Sequence, residues 1–290
     1  MRVRIAAVQF AHRPLNDFEE FARQVRTDVT LARDYDSQLV VFPEYLTGAL
    51  LTIPGSGEGM AAWHRWTGPY VDLFSSLARE TGTWILAGTH LTPQGERTTN
   101  TAHLFDPAGG VHTQSKLHLT PCEVDPWELA AGEAVHVFDT PLGRLAVLVC
   151  YDIEFPEAAR AAAEAGADIL LCPAATDDRS GYWRVRYSCH ARAVENQVFV
   201  VLAPLVGGAH VRFLEQGYGR AAILSPCDVP FPRDGVVAEG EWNQHLVVIG
   251  DVDLGLLAEI RERGSVTPRL SRRPEYRCVP VKIDGLQAVR

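Results

Sequence analysis

The sequence predicts an α/β fold in which helices cover a mixed sheet. Three observations carry that prediction. Short apolar runs alternate with longer segments whose apolar residues recur at helical spacing. Turn-rich breaks at Asp106–Gly110 and Thr140–Gly143 set hairpins between some of the runs, so the sheet is mixed rather than purely parallel. No Gly/Ser/Pro linker, internal repeat or low-complexity stretch divides the chain, and 290 residues at 47% hydrophobic and 22% charged suit one large layered domain.

The elements follow in order. Arg4–Gln9 reads as a first strand, with Ile5 and Val8 as β-branched members. Leu15–Arg33 carries Phe18, Phe21, Val25, Val29 and Ala32 on one helical face. Gln38–Phe42 is apolar on both faces and stops at Pro43, as a buried strand does. Tyr70–Thr81 is helical and Trp84–Gly88 a strand; Asn100–Phe105 and Val111–Lys116 form a hairpin. Val135–Asp139 and Leu145–Val149 flank the next turn. Pro156–Ala165 is an alanine-rich helix closed by Gly166, and Ala167–Cys172 a strand ending at Pro173. Tyr182–Asn196 is a helix; Val198–Ala203, Arg220–Leu224 and His245–Asp251 are strands; Leu254–Arg263 is a short helix. Residues 1–265 make the domain. Residues 266–290, with Pro268, Pro274 and Pro280, read as an extended tail that docks on something.

Composition excludes several function classes. A net charge of −9 and pI near 5.6 leave no basic face for nucleic acid. The apolar start AAVQF is broken by Gln9, His12 and Arg13, so no leader is expected, and no run is long enough for a membrane span. The six cysteines show no CxxC spacing and the ten histidines no HxxxH or HExxH spacing, so neither metal nor cofactor is expected. The cysteines read as free thiols of a cytoplasmic protein.

Three reactive residues each follow or close a strand: Glu44 after QLVVFP, Lys116 at the end of VHTQS, and Cys150 after LAVLV. Ligand sites of α/β sheets gather beyond strand carboxyl ends. A thiol attacks as thiolate and needs a neighbour to take its proton. A glutamate in an apolar strand-end site has the raised pKa of a general base, and an ammonium or the Tyr151 N–H stabilises an oxyanion. Taken singly, Cys150 would be a core thiol, Glu44 a surface carboxylate and Lys116 a solvated lysine. His118 and His190 offer a rival Cys–His pairing; the position of His118 two residues past Lys116 suits a packed, satisfied ring. Arg192, Glu195 and Asn196 share a helix face and read as structural, while Asp152 suits a bond to loop backbone and Glu154 and Glu157 suit a helix start.

In these residues and their surroundings the chain resembles the nitrilase superfamily of carbon–nitrogen hydrolases. The resemblance rests on VVFPEYLTG around Glu44, SKLHLTPCE around Lys116 and LVCYDIEFPE around Cys150, in the family's order, with secondary matches at AAVQF, Asn100-Thr101-Ala102, GADILLCPA and HARAVENQVFVV. It implies a four-layer α-β-β-α sandwich that pairs into a homodimer or higher homo-oligomer, the tail reaching over the partner. It implies Glu44 as general base and acid, Cys150 as nucleophile and Lys116 at the oxyanion. A second glutamate matches Glu123, with Glu128 as fallback in a loop shared with Asp125. The implied activity is hydrolysis of a small linear amide; carbamoyl compounds and nitriles are the alternatives. A non-catalytic binding protein would lack one of the three residues, and an acyltransferase would carry membrane segments. For substrate contacts the sequence offers Tyr45, Tyr151, Ala174 and Asp177, with Cys122 close by. Asp177 and Asp178 are offered for a cation, Arg179 or Arg184 for an anion, and Trp63, Trp66 and Tyr45 for an aromatic wall.

Overall fold

The computed structural model describes residues 1–209, 211, 214–273 and 275–280. The first half of the chain gives β1 (Arg2–His12), α1 (Phe18–Asp34), β2 (Leu39–Val41), α2 (Gly59–His64), α3 (Thr67–Thr81), β3 (Trp84–Gln94), β4 (Arg97–Phe105), β5 (Val111–Ser115) and α4 (Pro121–Val124). The second half gives β6 (Val137–Thr140), β7 (Gly143–Val147), α5 (Pro156–Glu164), β8 (Ile169–Ala174), α6 (Arg179–Asn196), β9 (Phe199–Gly207), β10 (Ala222–Leu224), β11 (Val236–Glu239), β12 (Leu246–Asp253), α7 (Leu254–Arg263) and α8 (Pro268–Ser271).

The strands form one mixed sheet of twelve. One half runs β5-β4-β3-β2-β1-β12 and the other β6-β7-β8-β9-β10-β11, and they join where Phe10–His12 of β1 pairs in parallel with Leu205–Gly207 of β9. The period-two alternation of β1 shows how the halves are layered. Val3, Ile5 and Ala7 belong to the core formed with β7, β8 and β9; Ala6, Val8 and Phe10 belong to the core under α1 and α3. On the far side α5 and α6 bury Ala159, Ala162, Val185, Cys189 and Ala193 against the second half. The layers are therefore helix, sheet, sheet, helix, the sandwich that the resemblance implies.

Most elements fall where the sequence puts them, and the shifts have local causes. The first helix begins at Phe18 rather than Leu15 because the Asp17 carboxylate accepts the Glu20 N–H at 2.8 Å. Asp178 does the same for the Gly181 N–H at 2.6 Å, starting α6 at Arg179 rather than Tyr182. β3 runs through Gly88 to Gln94, with an irregular register between Leu86 and Thr89. β11, α2 and the 3₁₀ turn at Leu46–Thr52 carry no clear periodicity and are additions to the expected set.

β1, β2 and β3 are parallel, as are β7, β8 and β9, and β1 meets β9 in parallel too. The carboxyl ends of β2, β7 and β8 thus emerge at one end of the sandwich. All six cysteines are free thiols. The segment read as an extended tail holds the short α8, whose Arg269 donates to the Ala163 carbonyl at 2.8 Å and whose neighbour Arg272 pairs with Glu164. Residues 281–290 lie outside the described residues. Among the described residues no helix is long and apolar enough to cross a membrane.

Candidate active site

Glu44 is set by a tight crossing of two strand ends. The Phe42 N–H donates to the Leu86 carbonyl at 2.8 Å, holding the chain beside β3. Gly88 then lies so close that a Cβ there would sit 1.9 Å from the Pro43 oxygen, at a φ of +66°, so glycine is required. Tyr45 adopts φ 52°, and its N–H donates to Thr89 Oγ1 at 2.9 Å. A non-glycine residue in the left-handed region marks local strain of the kind that collects at functional sites.

Cys150 is also in the left-handed region, at φ 46°, where the segment after β7 enters a 3₁₀ turn spanning Cys150–Glu154. Asp152 fixes this turn to the loop that carries Lys116. Its buried carboxylate accepts the N–H groups of Leu117 at 3.1 Å, His118 at 2.7 Å and Val149 at 3.1 Å. From α6, Arg192 donates to the Ile153 and Glu154 carbonyls at 2.9 and 3.0 Å while pairing with Glu195 at 2.9 Å. Both assignments match the structural roles that the sequence suggests for these residues.

Four chemically active side chains meet here, none more than 6% exposed: Glu44, Lys116, Glu123 and Cys150. Lys116 Nζ lies 2.8 Å from Glu44 Oε1 and 2.8 Å from Glu123 Oε2. Asn100 Nδ2 donates to Glu44 Oε1 and to Glu123 Oε1, both at 2.9 Å. The second Glu44 oxygen accepts the Ala175 N–H at 2.9 Å, beyond the end of β8. Glu123 also accepts from the Tyr45 hydroxyl and from Thr120 N and Oγ1, so it is fixed from three sides. Cys150 Sγ donates to the Ala175 carbonyl at 3.7 Å, and Glu44 lies near enough to act on the charge of the thiol.

Burial dominates the electrostatics. It raises the Glu44 carboxyl above its ordinary range; Lys116 offsets part of that rise and Glu123 adds to it. Burial, reinforced by Glu44, pushes the Cys150 thiol well up, against the pull of Lys116. For Lys116, burial favours the neutral amine, but two adjoining carboxylates override it and the ammonium is kept. Glu123, also buried, is held low by its contact with Lys116. The resting set is a protonated thiol, a charged lysine and two unequal carboxylates, of which Glu44 takes up a proton more readily.

These groups open into a cavity of about 260 Å³. Tyr45, Trp127, Leu205 and Leu214 give it apolar wall, and Tyr151, Glu154, Asp177, Arg184 and Gln216 line it with polar groups. Of the expected contacts, Tyr45, Tyr151, Asp177 and Cys122 line it. Ala174 does not: it is the buried last residue of β8, and Ala175 takes that place. Asp178 is occupied as the α6 cap, and Arg179 and Trp66 lie elsewhere, Trp66 stacked on Phe18. Trp63 backs Tyr45 from behind at 6.1 Å between ring centres. The fallback Glu128 is exposed and lines a different cavity, as Asp125 closes α4 away from the site. His118 stacks on Phe155 and bonds Asp152, while His190 bonds Arg186; neither lines the cavity. Sequence reasoning missed Asn100 as a link between the two glutamates and Trp127 as wall. The motif Asn100-Thr101-Ala102 was the available signal for the first.

The helix–sheet–sheet–helix sandwich thus buries a thiol, an ammonium and two carboxylates together at its strand ends. The chain belongs to the carbon–nitrogen hydrolase family, whose sequence model matches residues 4–262. It is similar to the probable hydrolase YhcX of Bacillus subtilis, 42% identical over 275 residues that cover 93% of this chain and 54% of that protein; the chain spans about half the length of this relative. The omega-amidase NIT2 of Danio rerio is 26% identical over 254 residues, 84% of this chain and 86% of that one. Among solved structures, Nit3 of Saccharomyces cerevisiae, a member of branch 10 of the nitrilase superfamily, superposes with a TM-score of 0.73 at 24% identity, covering 93% of this chain and 97% of its own. A mutant amidase from Nesterenkonia sp. AN1, whose active-site cysteine carries a Michael adduct of acrylamide, gives 0.67 at 25% identity, covering 89% and 96%. The chain is thus a member of the carbon–nitrogen hydrolase family, on the fold that its sequence resembles.

Proposed function

We propose that this chain hydrolyses the carbon–nitrogen bond of a small linear amide through a thioester on Cys150. The observation that carries the reading is Lys116, held 2.8 Å from both Glu44 and Glu123 in the cavity that Cys150 lines. Glu44 accepts the thiol proton as Sγ attacks the amide carbon. Because burial keeps the thiol protonated, transfer and attack are coupled rather than sequential. The developing oxyanion is held by the remaining Lys116 N–H and the Tyr151 backbone N–H. Glu44 returns the proton to the leaving nitrogen and ammonia departs. Water then attacks the thioester, Glu44 taking its proton, and Cys150 leaves as the thiol with release of the carboxylic acid. Glu123 holds the ammonium between two anions, keeping Lys116 charged and aimed throughout.

The amidase and omega-amidase relatives support an amide over other substrates, and a cavity of about 260 Å³ suits a small one. The test is ammonia release from a panel of short amides, N-carbamoyl amines and nitriles, with Cys150→Ala beside the native chain. Turnover of amides that vanishes in the variant is expected. Equal turnover by Cys150→Ala, or release from nitriles alone, would overturn this reading.

A further inference from the structure

Resting on the amide-hydrolase reading, we propose that the site selects small amides whose acyl chain carries a cationic group, with Glu154 as the counter-charge. Sequence alone leaves both signs open, because acidic and basic residues crowd the segment after β8. The structure separates them. Among the described residues, the charged side chains lining the cavity are Glu44, Lys116, Glu154, Asp177 and Arg184, with Glu123 just behind. Lys116 is committed to Glu44 and Glu123 at the closed end. Asp177 lies at the exposed end, and no cation is paired with it among the described residues.

Among the described residues, Arg184 is the cation that lines the outer part of the cavity, and it already serves two acids. Its Nε lies 3.6 Å from Glu154 Oε1, an ion pair too long to be a hydrogen bond, and its charge also lowers the pKa of Asp178 after the stronger effects of that residue's own hydrogen bonds. The two partners are unequally placed. The Glu154 side chain is 19% exposed, that of Arg184 63%. A substrate ammonium can take the place of Arg184 beside Glu154 while the long arginine swings into water, so the buried carboxylate keeps a partner. A substrate carboxylate that recruits Arg184 strips Glu154 of its only ion pair among the described residues and leaves it largely buried in a cavity already rich in acids. Taking the partner from a largely buried carboxylate leaves its charge uncompensated, and that asymmetry is how a site rejects the wrong charge.

The experiment compares three amides on one three-methylene spacer, ending in methyl, ammonium or carboxylate: pentanamide, 4-aminobutanamide and glutaramate. On the native chain kcat/KM should be about tenfold higher for 4-aminobutanamide than for pentanamide, a value between an exposed and a buried charge pair, and lowest for glutaramate. Glu154→Gln should collapse the ammonium-to-methyl ratio towards one; Asp177→Asn, at the exposed end, should lower it less. Circular dichroism checks that both variants are folded, and the Asp177→Asn series still reads the preference if Glu154→Gln is not. Equal or better turnover of pentanamide or glutaramate by the native chain would overturn this inference and leave the hydrolase reading standing. A ratio unmoved by Glu154→Gln would overturn the role of Glu154. No ammonia from any of the three would overturn the hydrolase reading, and this inference with it.

Discussion

Replacing Lys116 with methionine removes the cation from between two buried carboxylates and keeps the apolar length of the side chain. In the native chain Lys116 Nζ lies 2.8 Å from Glu44 and from Glu123, with all three side chains at most 1% exposed. The variant leaves both carboxylates in place, joined through Asn100 Nδ2. Breaking such an arrangement from one side costs about 3–5 kcal/mol. The cost depends on pH in a defined direction. Without the ammonium, burial and mutual repulsion raise the pKa of the carboxylates in the folded state above their unfolded values. The whole penalty is present where they are ionised in both states, so it is larger at pH 8 than at pH 5. As pH falls through the raised folded values the native state takes up protons first, and the penalty shrinks, vanishing below the unfolded values. Urea unfolding of both proteins at pH 8 and pH 5 reads the difference between them, so contributions common to both cancel. The account expects a deficit of about 3–5 kcal/mol at pH 8 that is clearly smaller at pH 5. Lys116→Met as stable as the native chain at pH 8, or a deficit that grows on acidification, would refute the buried-charge reasoning.

Three further expectations follow from the same geometry. With the neutral substrate pentanamide, kcat/KM should fall on the acid side through a pKa above the ordinary glutamate value of 4.5, because Glu44 must be ionised to take the thiol proton and burial raises it; a limb at or below 4.5 would contradict that. Asp152→Asn loses part of the acceptor set that binds the N–H groups of Leu117, His118 and Val149, so kcat should fall by tenfold or more and stability by about 1–3 kcal/mol, read by steady-state kinetics and thermal melts; unchanged kcat would remove Asp152 from the positioning of Cys150 and Lys116. Burial holds His12 at about 4, His90 at about 3 and His103 at about 4, so their ring signals in NMR should stay those of neutral imidazole between pH 8 and pH 5.5, and a midpoint near 6.5 in any of them would contradict their burial.

How far the site could be read from sequence depended on what each residue's neighbours reveal. Glu44 and Cys150 were legible because each follows an apolar run that itself predicts a buried strand, whereas Lys116 closes the largely polar and exposed VHTQS strand and was legible only from its place at the end of the hairpin and from its motif. The helix starts are off by three residues in opposite directions, α1 beginning later than its periodicity suggests and α6 earlier, because the capping Asp17 and Asp178 stand among polar neighbours that break no periodicity. Asn100 was hidden inside a strand, where its side chain looks like any other polar residue until the sheet half carrying β4 is brought over Glu44 and Glu123. The left-handed backbone at Tyr45 and Cys150 has no sequence signal, since that conformation is ordinarily announced by glycine or asparagine. Gly88 does carry such a signal, yet what it makes room for, the Pro43 carbonyl, comes from a different strand. Ala174 and Ala175 differ by one place, and period-two alternation at the end of β8 turns one into the core and the other to the cavity.

The central claim is a covalent bond between the acyl group and Cys150. Rapid acid quenching of the native chain during turnover of a short amide, followed by intact and peptide mass measurement, tests it most directly. The account predicts a transient mass increase equal to the amide minus ammonia, located on the peptide that contains Cys150 and absent from Cys150→Ala. An adduct on another residue, or turnover that proceeds in Cys150→Ala, would contradict it.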